Sequence, residues 1–266
     1  MGLRTLAKRL LGVERDPTYY LPWLTRAGLD CTLVLSNVES RFKPGYNRGA
    51  FPITAVQYDA GGGVAARHAV TLPDAVEAVE LSLRAAAGGC GFVTVRGERI
   101  HSDLYVTLSD GEAYTATHGR GEFIERYALR GRLLLALVGK LLELVGRTIP
   151  AFVRHQYAYV GPDSRSHLLI MNLSNVTNRV RVVASREGKD LGALLLRLPP
   201  MGSTLLDIAT LESAAGAPTT EPPPLAPRPV TDVWRLRLEG AAWFNLYVVG
   251  AGSRNLEGPL SLMHVK

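Results

Sequence analysis

Apolar and polar residues alternate with a period of two over much of the chain. Val180 and Val182 alternate with Arg179 and Arg181, and Trp234, Leu236 and Leu238 with Arg235, Arg237 and Glu239. Such alternation turns one face of a strand to a core and the other to water, as in antiparallel sheets. In the first half CTLVLSN, ITAVQYD, AVEAVELSL, GFVTV and RIHSDLYVTL read as strands. In the second, HLLIMNL, RVRVVAS, GALLLRL, VWRLRL and WFNLYVV do the same. All ten are short, β-branched or alternating, and separated by Gly, Pro, Asn or Asp.

The pattern also repeats. Leu35-Ser36-Asn37-Val38 recurs as Leu173-Ser174-Asn175-Val176, Leu72-Pro73 as Leu198-Pro199, and Leu104-Tyr105-Val106 as Leu246-Tyr247-Val248. Three matches in the same order, each in or beside a strand-like run, indicate an internal duplication. The expected fold is therefore mainly β: two tandem β-sandwich domains, immunoglobulin-like or jelly-roll-like, joined by an amphipathic helix. The first sandwich spans residues 17–122 and the second 154–266. Their unequal spacings place one insertion around Arg41–Arg48 and another, a Pro-rich loop, at 214–229, where polyproline II is favoured.

Two segments carry a helical period instead. Residues 3–15 put Leu3, Leu6, Leu10 and Leu11 on one face, so 1–16 is expected to be an N-terminal amphipathic helix. Within 123–153, residues 124–148 carry Leu133, Leu134, Leu137, Val138, Leu141 and Leu142 with a narrow polar stripe, and Pro150 is expected to end the helix. A face that wide calls for cover. Enclosure by the flanking domains is the expectation, with self-association or a membrane-surface contact through Leu3, Leu6, Leu10, Leu137 and Leu141 as alternatives.

Composition then narrows the class. With 266 residues, 47% hydrophobic and 20% charged, the chain is long enough for two cores and too apolar to be disordered. The net charge of +6 comes almost wholly from arginine, which suits an anionic surface or ligand but lacks the dense basic run of a sequence-specific nucleic-acid binder. Cys31 and Cys90 form neither a C-x-x-C pair nor a zinc set. Residues 1–16 lack the apolar core of a secretory signal, so a cytoplasmic address, peripheral to the membrane if the helix binds it, is expected.

Candidate chemistry is sparse. Asp110-Gly111 reads as a two-residue hairpin turn, which would set Asp103 opposite His118 and His101 opposite Arg120. His101, Asp103 and His118 then share the wet face, with the elements of a divalent-metal site or an oriented acid–base pair. The loop Arg41-Phe42-Lys43-Pro44-Gly45-Tyr46-Asn47-Arg48 interleaves cations with rings, and Arg41, Phe42, Lys43, Tyr46 and Arg48 suit a partner or an anionic ligand. Gly61-Gly62-Gly63 reads as a flexible hairpin loop. No catalytic fingerprint is present. The expected function is that of a non-enzymatic structural or adaptor protein binding a protein partner or itself, without a cofactor. The alternatives are a metal-dependent enzyme or metal-binding protein and a peripheral membrane protein.

Overall fold

The computed structural model describes residues 9–36, 50–72, 78–84, 89–97, 104–161, 165–213, 232–252 and 260–264. The first half contains β1 (Val13–Thr25), β2 (Asp30–Ser36), β3 (Phe51–Tyr58), β4 (Val64–Leu72), β5 (Ala78–Ser82), β6 (Gly89–Arg96), β7 (Leu104–Ser109), β8 (Tyr114–His118) and β9 (Arg120–Tyr127). After helix α1 (Leu129–Glu143) come β10 (Phe152–Val160), β11 (Arg165–Asn172), β12 (Asn178–Arg186), β13 (Lys189–Leu198) and β14 (Ser203–Asp207). Helix α2 (Thr210–Ser213), β15 (Asp232–Gly240), β16 (Phe244–Ala251) and β17 (Ser261–His264) complete the chain. The protein is mainly β, its sheets antiparallel, and each of the ten segments expected to be extended contains a strand.

In the first half the strands run β4-β3-β6-β1-β9 in one sheet and β5-β2-β7-β8 in another. In the second half β10 and β11 pair only at Val160↔Arg165, beside their connection. The strands there consequently fall into a β13-β12-β15-β10 run and a β14-β11-β16-β17 run.

Burial follows the pleat. Residues Tyr20 to Thr25 of β1, Gly91 to Val95 of β6 and Ser166 to Asn172 of β11 are buried on both strand faces, as expected of strands between two layers. Alternate side chains of β11 and β16 enter different cores. Leu169, Met171, Tyr247 and Val249 join Leu21, Leu33, Phe92 and Val106 of the first half. Leu168, Ile170, Leu246 and Val248 join Val180, Val182, Trp234 and Leu236. One pair of strands thus serves as the shared wall of both cores.

Two helical expectations are corrected by a single pairing. Helix is described only at residues 9–11 of the N-terminal segment. It stops at Gly12, whose φ of +60° suits glycine, and β1 begins at Val13. Residues 120–127, of which 124–127 were expected to open the helix, form β9, in the register Val13↔Tyr127 to Tyr20↔Arg120. Ladder hydrogen bonds, with Asp16 between Arg96 (2.6 Å) and Arg126 (3.0 Å), override the local helical period at both places. The helix also ends before Pro150. Gly146, at φ +63°, lets the Gly146 amide donate to the Glu143 carbonyl at 3.0 Å and the Arg147 amide to that of Leu142 at 2.9 Å.

Candidate functional site

Several expected site residues lie outside the described residues: Leu3, Leu6, Arg41, Phe42, Lys43, Tyr46, Arg48, His101 and Asp103, with the Pro-rich loop 214–229. The hairpin that was to join His118 to them is described, and its register differs. The turn holds four residues, Asp110 to Ala113, because Asp110 Oδ1 accepts the amides of Glu112 (3.1 Å) and Ala113 (2.7 Å). Ser109 therefore pairs with Tyr114, and His118 lies opposite Tyr105 rather than Asp103. A shift of two keeps His118 on the wet face and removes the pairing that defined the expected metal site. Among the described residues, no three His, Cys, Asp or Glu side chains are grouped to hold a metal.

The buried polar groups act as clamps between strands. Tyr20 Oη donates to Glu122 Oε2 at 3.1 Å and accepts from Asn245 Nδ2, and Arg120 Nη2 meets Glu122 Oε1 at 2.6 Å. Burial first, and then the Glu122 carboxylate, push the Tyr20 hydroxyl far above its ordinary pKa, so it stays a donor. This cluster ties β1 and β9 to β16. Beside it, Arg154 lies 4.8 Å over the Trp243 ring, which stacks on Phe123 with centroids 4.8 Å apart.

The second copy of the repeated Leu-Ser-Asn-Val segment does similar work. The Asn175 side chain accepts the Tyr127 amide (2.8 Å) and donates to the Tyr127 carbonyl (3.2 Å), replacing a strand neighbour. Ser174 Oγ donates to Asn172 Oδ1 at 2.6 Å, and Asn172 Nδ2 donates to the carbonyls of Val176 and Pro199, both at 2.7 Å. The motif is thus a structural knot. Cys31 is likewise structural: burial pushes its thiol up to about 12, so a neutral-pH alkylating reagent is expected to modify it only after unfolding. Rapid modification of Cys31 in the native protein would contradict that burial.

The outward-facing apolar surface is on α1. Gly131, Leu135 and Gly139 turn inward, where Leu135 packs with Tyr127, Val176 and Ala242. Glycine is required at 131, where a Cβ would stand 2.2 Å from the Leu11 carbonyl oxygen; at 139 a Cβ would stand 2.5 Å from Arg179 Nη1 and displace that guanidinium. The opposite side is bare. Leu137 is 61% exposed, Leu141 59% and Leu144 83%, and Leu129, Leu133, Leu134 and Val145 are exposed with them, as is Leu10 on the preceding turn. Enclosure of Leu137 and Leu141 by the flanking sheets is thereby corrected. The helix packs on the sheets through two glycines and one leucine, too narrow a seat to cover its leucines.

Most of the charges on α1 are positive. Arg130, Arg132 and Lys140 are exposed, as are Arg9 before the helix and Arg147 after it. The helix's one carboxylate, Glu143, accepts from Arg179 Nε at 2.7 Å, which holds its carboxyl below the usual range. The surface is therefore a leucine ridge with arginines and a lysine at its margins, of which Arg130 Nη2 donates to the Arg9 carbonyl at 3.1 Å. No described helix is long and apolar enough to cross a membrane.

A scan of family models and a search of curated proteins found no match to this chain.

Proposed function

We propose that the protein is a non-enzymatic binding protein that seats the exposed face of α1 on an anionic lipid surface, with two copies of one β-sandwich unit as its rigid body. The observation that carries the reading is the α1 ridge with exposed cations at its margins. A helix with leucines on one side and arginine or lysine at the margins partitions into the headgroup boundary, driven by apolar burial and attraction to anionic lipid. Two copies packed α1 to α1 would instead bring mostly like charges together, the Glu143 carboxylate of each being already held by its own Arg179. The contact involves Leu10, Leu137 and Leu141, with the helix between the repeats as the anchor.

The duplicated scaffold is supported by strand order. Raising each strand number of β4-β3-β6-β1 and β5-β2-β7-β8 by nine yields β13-β12-β15-β10 and β14-β11-β16-β17. The repeated tripeptide and dipeptide anchors also fall at equivalent places, in β7 and β16 and at the ends of β4 and β13. A rigid pair of sandwiches carrying one exposed contact helix suits an adaptor.

Co-sedimentation with phosphatidylserine-containing vesicles tests the reading. The full chain is expected to bind these and not neutral phosphatidylcholine vesicles. Leu137→Glu with Leu141→Glu is expected to weaken binding about tenfold or more while leaving the unfolding temperature unchanged, since burying each leucine is worth roughly 1.5–3 kcal/mol. A wild-type dimer that the same pair of substitutions dissociates, without vesicle binding, would assign the ridge to a second copy instead.

A further inference from the structure

We propose that the outer face of the β13-β12-β15-β10 run binds nucleotides, free or within a single strand. This surface is separate from the bare ridge of α1 and is argued independently of it. Neighbouring strands stand about 4.8 Å apart and same-face residues recur about every 6.8 Å, so the register itself writes the grid. Along β10 the outward positions are Val153, His155, Tyr157 and Tyr159; along β15 they are Glu239, Arg237, Arg235 and Val233, in the register Val153↔Glu239, His155↔Arg237, Tyr157↔Arg235 and Tyr159↔Val233. A ring-bearing column thus lies beside an arginine column, and β12 adds Arg181 opposite Glu239.

The face is open and hollow. Tyr157 is 59% and Tyr159 46% exposed, although neither ring is needed to fill a core. Arg181, Arg235, Arg237 and His155 line a groove of about 450 Å³, within the size range of small-ligand sites. Asp190 stands at its β13 side. Glu239 lies low in the sheet and holds Arg237 Nη2 at 2.5 Å and Arg181 Nη1 at 4.0 Å. Its carboxylate orients two guanidiniums without occupying the groove. Arg235 has neither an ion pair nor a side-chain hydrogen bond among the described residues, and its five donors await an acceptor.

The chemistry that satisfies both columns is a phosphate joined to a flat ring. Guanidiniums bind phosphate oxygens in a bidentate fork, and exposed tyrosines stack on the π-face that every base carries. A sulfated sugar would satisfy the arginines but leave the rings unused for base stacking, so the rings decide the class. A strand lying along β10 would pass both tyrosines with its phosphates over β15.

Fluorescence anisotropy with the full chain tests this, using labelled oligothymidylate in one arm and a labelled adenine mononucleotide in the other. Binding is expected, and Arg235→Gln should weaken it about tenfold. Tyr157→Leu should weaken it roughly five- to a hundredfold, whereas Tyr157→Phe, which keeps the ring, should bind within about threefold of wild type. Mononucleotide binding as tight as the oligomer's identifies the free nucleotide as the source; binding of the oligomer alone identifies a strand. Native melting curves for all three exposed-site variants separate a lost contact from a lost fold. No binding to either probe overturns the proposal. So does equal displacement by heparin together with indifference to Tyr157→Leu, which would mark a general polyanion surface. Vesicle binding through α1 is read separately, so either assignment can fail alone.

Discussion

Asn172→Ala is expected to lower the free energy of unfolding by about 1.5–4.5 kcal/mol, because one fully buried amide makes three short hydrogen bonds, each worth roughly 0.5–1.5 kcal/mol net. Asn172 Nδ2 donates to the Val176 and Pro199 carbonyls, and its Oδ1 accepts from Ser174 Oγ. Alanine would remove all three where Asn172 and Ser174 are fully buried, leaving the Val176 carbonyl only Ser174 Oγ at 3.3 Å and the Pro199 carbonyl only the Gly202 amide at 3.0 Å. Set against a typical total of about 5–15 kcal/mol, that is a large fraction. Ser174→Ala removes a single donor and should lose only about 1 kcal/mol. Urea unfolding followed by tryptophan fluorescence measures both. A loss below about 1 kcal/mol for Asn172→Ala would show that the knot is not what holds this loop.

Gly62→Ala and Gly111→Ala should differ although both glycines have positive φ, +83° and +92°. The conformational strain of an L-residue there is about 1–2 kcal/mol at either site. Space separates them. A Cβ on Gly62 would lie 1.9 Å from the Pro200 carbonyl oxygen, whereas one on Gly111 meets nothing within 4 Å. Overpacking adds about 1–3 kcal/mol at Gly62 alone. The contact joins the halves, since the Ser203 amide donates to the Ala60 carbonyl at 3.0 Å, while within the loop Asp59 Oδ1 accepts the Gly63 amide at 2.9 Å. Gly62→Ala should therefore lower the unfolding temperature by several degrees more than Gly111→Ala, at roughly 2–4 °C per kcal/mol. Equal shifts would mean that the halves give way there without cost. The expected flexible triple-glycine loop is in fact a close contact at Gly62, which answers to Pro200, remote in sequence, whereas Gly61 and Gly63 meet only the nearby Asp59.

The period of two determined by itself that this chain forms sheets, since alternation such as Val180-Arg181-Val182 can bury its valines only on one face of a strand. It also marked the outer face that bears Arg181, Arg235 and Arg237, though only as wet. What made that face a candidate site was Tyr157 opposite Arg235, a cross-strand pairing between residues far apart in the chain. Asn245 likewise acquired a role only when the fold brought it to Tyr20 and Glu122. Local pattern failed where ladder pairing could outbid it. Residues 13–15 and 124–127 have helical spacing, yet each supplies the other's missing hydrogen bonds, and neither could reveal this alone. The hairpin register turned on two hydrogen bonds from Asp110, and a two-residue difference moved His118 from Asp103 to Tyr105. The leucines of α1 were legible as an apolar face from the start. Whether anything covered them depended on how little of the helix the sheets could seat, a matter of tertiary geometry that periodicity does not encode.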